Sequence, residues 1–169
     1  MIGKNIKFRT VIEKDASFIL ELRNVKGVHL SQTNISEKQQ KAWIADYKKR
    51  ERAELEYYFI IESLDHERLG LLRVYDLRED SFCWGSWIIK DDAPKATAIE
   101  SVLLVYQFGF EELGFRNCHF DVRKENVKVI KFHESFNAKR TGETELDLLF
   151  NLTYQDYLSS KKKFIKFTK

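Results

Sequence analysis

The hydrophobic period of this chain changes in mid-chain from strand to helix and back, and few folds accommodate that sequence of changes. Three apolar runs rich in aromatic and β-branched residues, Tyr57–Leu64, Leu69–Leu77 and Ser81–Lys90, follow one another through short polar connections such as Asp65-His66-Glu67. The period then becomes helical. Ile99, Val102, Leu103, Tyr106, Phe110 and Leu113 recur at three- and four-residue spacing, and Gly114 stands where a helix-terminating glycine belongs. Arg116–Arg123 reads as a strand again. Short connections predict an antiparallel meander for the first three strands. The step from Ser81–Lys90 through a helix to Arg116–Arg123 predicts a βαβ crossover with those two strands as parallel neighbours.

The flanks extend this pattern. Ile6–Val11 reads as a first strand, and Asp15 as a cap for a helix carrying Phe18, Ile19 and Leu22. Ser36 with Gln39 makes a capping box, opening a helix to about Arg50 on which Trp43 and Tyr47 stack one turn apart. A short helix is predicted from Asn126 to about Phe136. Leu146, Leu148, Phe150 and Leu152 then alternate on one strand face, and Thr153 with Asp156 caps a last helix. The order β-α-α-β-β-β-α-β-α-β-β predicts an α/β fold: a mixed sheet of about seven strands with helices on both faces. A length of 169 residues suits one domain over 1–169.

Charge and cysteine content narrow the function. Both signs are mixed and the net charge is +3, too weak for a nucleic-acid partner. The lysines from Lys161 to Lys169 read as a solvated end. Cys83 and Cys118 sit in apolar runs as buried thiols, and no Cys/His cluster has zinc spacing, so no metal is expected. The first residues lack a signal-peptide core and no run reaches membrane-spanning length, so the expected compartment is the cytoplasm, without membrane association.

The run from Trp84 to Glu143, WGSWIIKDDAPKATAIESVLLVYQFGFEELGFRNCHFDVRKENVKVIKFHESFNAKRTGE, resembles the cofactor-binding heart of the GNAT acetyltransferases. Leu22 to Asn24 and Trp43 look like the branch of ribosomal-protein and amino-sugar acetyltransferases. Glu125 to Glu143 most resembles amino-sugar N-acetyltransferases of bacterial surface-glycan pathways. The resemblance implies a GNAT fold and transfer of acetyl from acetyl-CoA to an amine, here the amine of a nucleotide-linked amino deoxysugar. Protein N-termini and polyamines are the alternative acceptors, and a non-catalytic CoA-binding domain is a third reading. The oligomeric state stays open, a homodimer included.

The family's phosphate loop is usually Gln or Arg, two residues, Gly, one residue, then Gly or Ala. The matching stretch here is Ala93-Pro94-Lys95-Ala96-Thr97-Ala98, which keeps only the small last residue. Phosphate needs backbone N–H groups at a helix start and a close approach, which alanine still permits. Lys95, Ala96, Thr97 and Ala98 are therefore the expected pyrophosphate site. By resemblance, Trp87, Ile88, Ile89 and Lys90 offer backbone groups to pantetheine, and Asn126 lines the cofactor cleft. His133 falls seven residues after Asn126, where the family often has a Tyr that protonates the leaving thiolate. It lies on an apolar helical stripe with Val129, Ile130 and Phe136, either packed as a bonded histidine or acting as a donor. Glu62, at the end of a strand expected to face the cleft, is the candidate general base, ahead of His29, Asp76 and His119. His29, Arg73, Tyr75 and Trp84 are candidates for acceptor binding, and Lys139 and Arg140 for acceptor phosphates.

Overall fold

A computed structural model describes residues 1–26 and 35–168; of Lys26 only the backbone is described. Seven strands form one sheet in the order β1-β2-β3-β4-β5-β7-β6. They are β1 Ile6–Thr10, β2 Tyr57–Ser63, β3 Arg68–Tyr75, β4 Ser81–Ile89, β5 Asn117–Arg123, β6 Lys139–Glu143 and β7 Asp147–Thr153. The helices are α1 Ala16–Lys26, α2 Glu37–Arg52, α3 Ala96–Gln107, α4 Val127–Ser135 and α5 Tyr154–Lys163. The meander β2-β3-β4 is antiparallel, and β5 joins β4 in parallel after the α3 crossover, as the period switch predicts.

Two cores clothe the two sheet faces. On one, α1 and α2 pack Phe18, Ile19, Leu22, Ile44 and Tyr47 against Tyr58, Ile60, Leu71 and Ile88. On the other, α3 packs Val102, Leu103, Val105 and Tyr106 against Phe59, Leu72, Phe82 and Trp84, joined by Phe120, Phe136, Phe150 and Tyr157. Trp43 and Tyr47 stack with ring centroids 5.7 Å apart. The Ser36–Gln39 and Thr153–Asp156 capping boxes both form.

The α3 segment ends in a wider turn. Leu113 N–H donates to Phe108 C=O, five residues back, and Gly114 closes it at φ +81°. Gly109 inside this turn lies so close to Phe82 that an added Cβ would sit 2.1 Å from its ring. Only glycine lets the crossover press this tightly onto β4.

Two local expectations change. Asp15 accepts a hydrogen bond from Ile12 N–H at 2.9 Å, but its carboxylate is buried under Arg9 and forms more than a helix cap. Leu146 lies before β7 and is exposed, while Phe150 and Leu152 are buried as the alternation predicts. The fully exposed β6, with its sequence Lys-Arg-Thr-Gly-Glu, carries no apolar alternation that would mark it as a strand. Among the described residues no helix is long and apolar enough to cross a membrane.

Candidate active site

Strands β4 and β5 pair at Ser81–Asn117 and Phe82–Cys118 and then diverge. A bulge drives the divergence. Against β3, the register jumps from Gly85 opposite Arg73 to Ile88 opposite Leu71, and Ser86 sits at φ +49°. An extra residue in one strand bends it and re-aims its side chains. The opening is a cleft of about 570 Å³, lined by Trp84–Ile89 of β4, Phe120–Arg123 of β5, Asn126, Val129 and His133 of the α4 region, and Tyr75 and Asp147.

His133 reaches this cleft from the inner face of α4. Its ring lies 4.5 Å from Phe120, 5.4 Å from Trp84, 5.9 Å from Phe132 and 6.4 Å from Trp87, centroid to centroid. The side chain is buried and, among the described residues, Nδ1 has no hydrogen-bond partner. Burial without a counter-charge lowers the imidazole pKa to about 4, so the ring is neutral at physiological pH. Asn126 also lines the cleft, and its side chain caps α4 by accepting from Val129 N–H.

The cleft lining on β4 stops at Ile89, and α3 begins seven residues later with Lys95 at its N-cap. Trp87 Nε1 donates to Ser101 Oγ at 3.2 Å, and Ser101 Oγ donates to Ala98 C=O at 2.9 Å. This pair ties the first turn of α3 to β4. That turn has no acidic residue, and among the described residues Thr97 Oγ1 is buried without a partner. Thr97 N–H already donates to Pro94 C=O at 2.9 Å; other N–H groups at a helix start lack intrahelical acceptors, which suits this end to an anion.

Several sequence-predicted residues stand elsewhere. Glu62 does not line the cleft. It lies on β2, two strands from β4, buried beneath Arg9, whose Nε donates to it at 2.5 Å; Lys7 Nζ is 3.8 Å away. Strand alternation puts Glu62 with Tyr58 and Ile60 on the α1–α2 face, where it completes an Arg9–Asp15–Glu62 cluster. Lys90 N–H donates to Leu69 C=O at 2.8 Å, so it is paired toward β3 and not open to the cleft, and Lys90 Nζ contacts Glu67 and Asp92. Arg73 is not among the cleft-lining residues. It pairs with Glu56 at 2.7 Å and is boxed by the rings of Trp43, Tyr58 and Tyr75. Lys139 and Arg140 lie on the exposed β6 with carboxylate partners, Asp156 and Glu134. His119 bridges Ser81 and Asp76, at 2.9 Å each. His29 falls outside the described residues. Tyr75 and Trp84 do line the cleft, beside His133 and Asn126.

The cleft also contains two carboxylates that the sequence reading passes over, Asp121 and Asp147. Since Cys118, Phe120 and Val122 point into the core, the alternation of β5 sends His119, Asp121 and Arg123 to the opposite face. That signal is present in the sequence. Asp147 opens β7 and has no comparable marker.

Comparison with known proteins agrees with this geometry. The acetyltransferase (GNAT) domain model matches residues 5–139. The apo structure of FdhC, a nucleotide-linked sugar GNAT, superposes with a TM-score of 0.93 at 38% identity, covering 100% of this chain and 98% of that one. Spermidine N-acetyltransferase from Vibrio cholerae, solved with CoA and spermine, shares the fold at a TM-score of 0.77 and 18% identity, over 91% of this chain and 98% of that one. The uncharacterized N-acetyltransferase YokL of the SPbeta prophage in Bacillus subtilis (strain 168) is 21% identical over 161 residues, 91% of this chain and 87% of its own. With a family match across most of its length and a splayed β4–β5 cleft at its centre, the chain belongs to the GNAT acetyltransferases, enzymes that transfer acetyl from acetyl-CoA to an amine.

Proposed function

We propose that this enzyme acetylates the amino group of a nucleotide-linked amino sugar. The observation that carries the reading is the likeness to FdhC, at 38% identity over the whole chain. In this reading the pantetheine arm of acetyl-CoA lies along Trp87–Ile89 and the pyrophosphate meets the first turn of α3, from Lys95 to Ala98. Both substrates bind together, and the amine attacks the thioester carbonyl directly. Alignment of the two contributes several kcal/mol to lowering the barrier. A neutral His133 N–H hydrogen-bonds the developing thiolate. Tyr75 and Trp84 present aromatic faces to the acceptor, and such faces suit a sugar ring. An amine flanked by electron-withdrawing ring substituents is less basic than a lysine, whose pKa is about 10.4, so more of it is neutral at pH 7.

One observation favours a second reading. Asp121 and Asp147, set against Arg123, leave the described part of the cleft with a slight acidic excess, which suits a polycation such as spermidine. The deciding experiment is a competition at equal concentration among amino-sugar nucleotides, free amino sugars, polyamines and N-terminal peptides. The proposal expects the highest kcat/KM for a nucleotide-linked amino sugar, and a lower value for its free sugar because remote contacts are lost. A higher kcat/KM for polyamines or peptides overturns it.

A further inference from the structure

We propose that Asp121 takes the proton from the attacking amine and that Asp147 tunes it for that task. This rests on acetyl transfer to an amine but not on which amine is the acceptor. The argument begins with placement. Asp121 lies on β5 in the wall of the cleft, on the strand face opposite Phe120, whose ring touches His133. A donor for the leaving group and an acceptor for the amine proton thus line one cleft from opposite sides of the sheet. Glu62, two strands away and locked by Arg9, is in no position to do this.

The surroundings of Asp121 come from three other strands and from β5 itself. On β5, His119 and Arg123 flank it on the same face. On β7, Asp147 is opposite Arg123, with Arg123 Nη1 at 3.4 Å from Asp147 Oδ2. Asp147 Oδ1 is buried with no partner and also belongs to the cleft. On β3 and β4 the near groups are Tyr75 and Cys83, both held protonated, first by burial and in part by the charge of Asp121. Arg123 thus engages Asp147, and no ion pair to Asp121 is recorded among the described residues. Asp121 is exposed at the strand surface, and Asp147 is its diagonal cross-strand neighbour on the same face; partial desolvation in the cleft and then the charge of Asp147 push its carboxyl pKa up, against smaller opposing effects of Arg123 and His119. A carboxylate so placed binds a proton more readily than an ordinary aspartate.

The step balances as follows. An ammonium acceptor gives its first proton to Asp121, which returns it to solvent. The nitrogen lone pair then forms the N–C bond to the thioester carbon. Collapse of the adduct breaks the C–S bond. The second proton leaving nitrogen balances the one taken up by the departing thiolate. Nothing is oxidised or reduced.

The test compares kcat/KM against pH for the wild type, Asp121→Asn and Asp147→Asn, together with a carboxyl ¹³C titration of the same proteins. Asp121→Asn should lose about 10²-fold or more at pH 7. Its residual rate should climb about tenfold per pH unit until the free amine predominates. Asp147→Asn should move the acid limb of the profile to lower pH, because the raising charge is gone. A merely structural Asp147 would not move that limb. In the titration, the Asp121 midpoint should fall when Asp147 is neutralised. The proposal is overturned if Asp121→Asn stays within threefold of wild type at pH 7, or if the Asp121 midpoint ignores Asp147. The titration needs no turnover, so it decides the pairing even if Asp121→Asn misfolds or the acceptor assignment fails.

Discussion

Replacing His133 with Phe separates the chemical role of this residue from its packing role. The side chain sits in a cage of Trp84, Trp87, Phe120 and Phe132, which accepts a phenyl ring of similar size. Among the described residues its Nδ1 has no partner to lose. The fold and acetyl-CoA affinity should therefore persist. With its pKa near 4, the ring is about 10³-fold more often neutral than charged at pH 7. Catalysis through the imidazolium would cost about 4 kcal/mol to protonate it, so the useful species is the neutral N–H donor. Its loss should lower kcat by about 10²-fold, at the lower end for proton-transfer assistance. The same burial links stability to pH. The folded pKa of about 4 lies below the unfolded value of about 6.5, so the unfolded chain holds more protons in between. The stability contributed by His133 is complete above pH 6.5 and declines as pH falls toward 4, by about 3 kcal/mol. Thiol-release kinetics at pH 7.5 and urea melts at pH 7 and 4.5 measure both effects. A variant whose kcat stays within threefold of wild type refutes the donor role. A variant that loses as much stability on acidification as the wild type refutes the linkage.

Two further outcomes are expected. Lys95→Glu should weaken acetyl-CoA binding by calorimetry, as a negative side chain at the start of α3 repels the pyrophosphate, while leaving the melting temperature nearly unchanged. Arg9→Met should destabilise the fold by about 3–5 kcal/mol in urea melts at pH 7, because it leaves the buried Asp15 and Glu62 carboxylates without their shared guanidinium; Glu62→Gln in the same series should change stability and leave kcat within about threefold, and a larger fall in kcat would restore Glu62 to the chemistry.

What the sequence revealed followed the strength of local patterning. The change from period two to period 3.6 around Ile99 located the crossover, and with it the parallel β4–β5 pair on which the cleft depends. Caps at Ser36 and Thr153 were legible because a hydroxyl and an acid or amide three residues apart satisfy each other locally. His133 was legible as a polar residue on an apolar stripe, and it does line the cleft. Glu62 was misplaced because a charged strand residue can face a ligand or a buried partner. Which of these occurs depends on Arg9 and Asp15, about 50 residues away in the chain. Asp121 escaped notice for the converse reason, since an exposed acidic residue on a half-polar strand face is ordinary, and only the parting of β4 from β5 makes that face a cleft wall. The bulge at Ser86 that peels it away has no glycine or proline at its own position, only Gly85 beside it.

That narrow junction has a mechanical consequence. Strands β1 to β4 form one stiff plate and β5, β7 and β6 another, hinged by two residue pairs at one end and strapped by α3 behind. Each plate has its own ladder of hydrogen bonds and resists bending. The seam between them carries the fewest backbone pairs of any strand junction in the described sheet. A ligand that lies in the gap and bonds to both edges supplies rungs the backbone lacks, so occupancy and stiffness rise together. The distance across the seam is also the distance from Trp84 to Phe120, the two rings that hold His133 between them. The packing around the imidazole is therefore tied to the width of the seam.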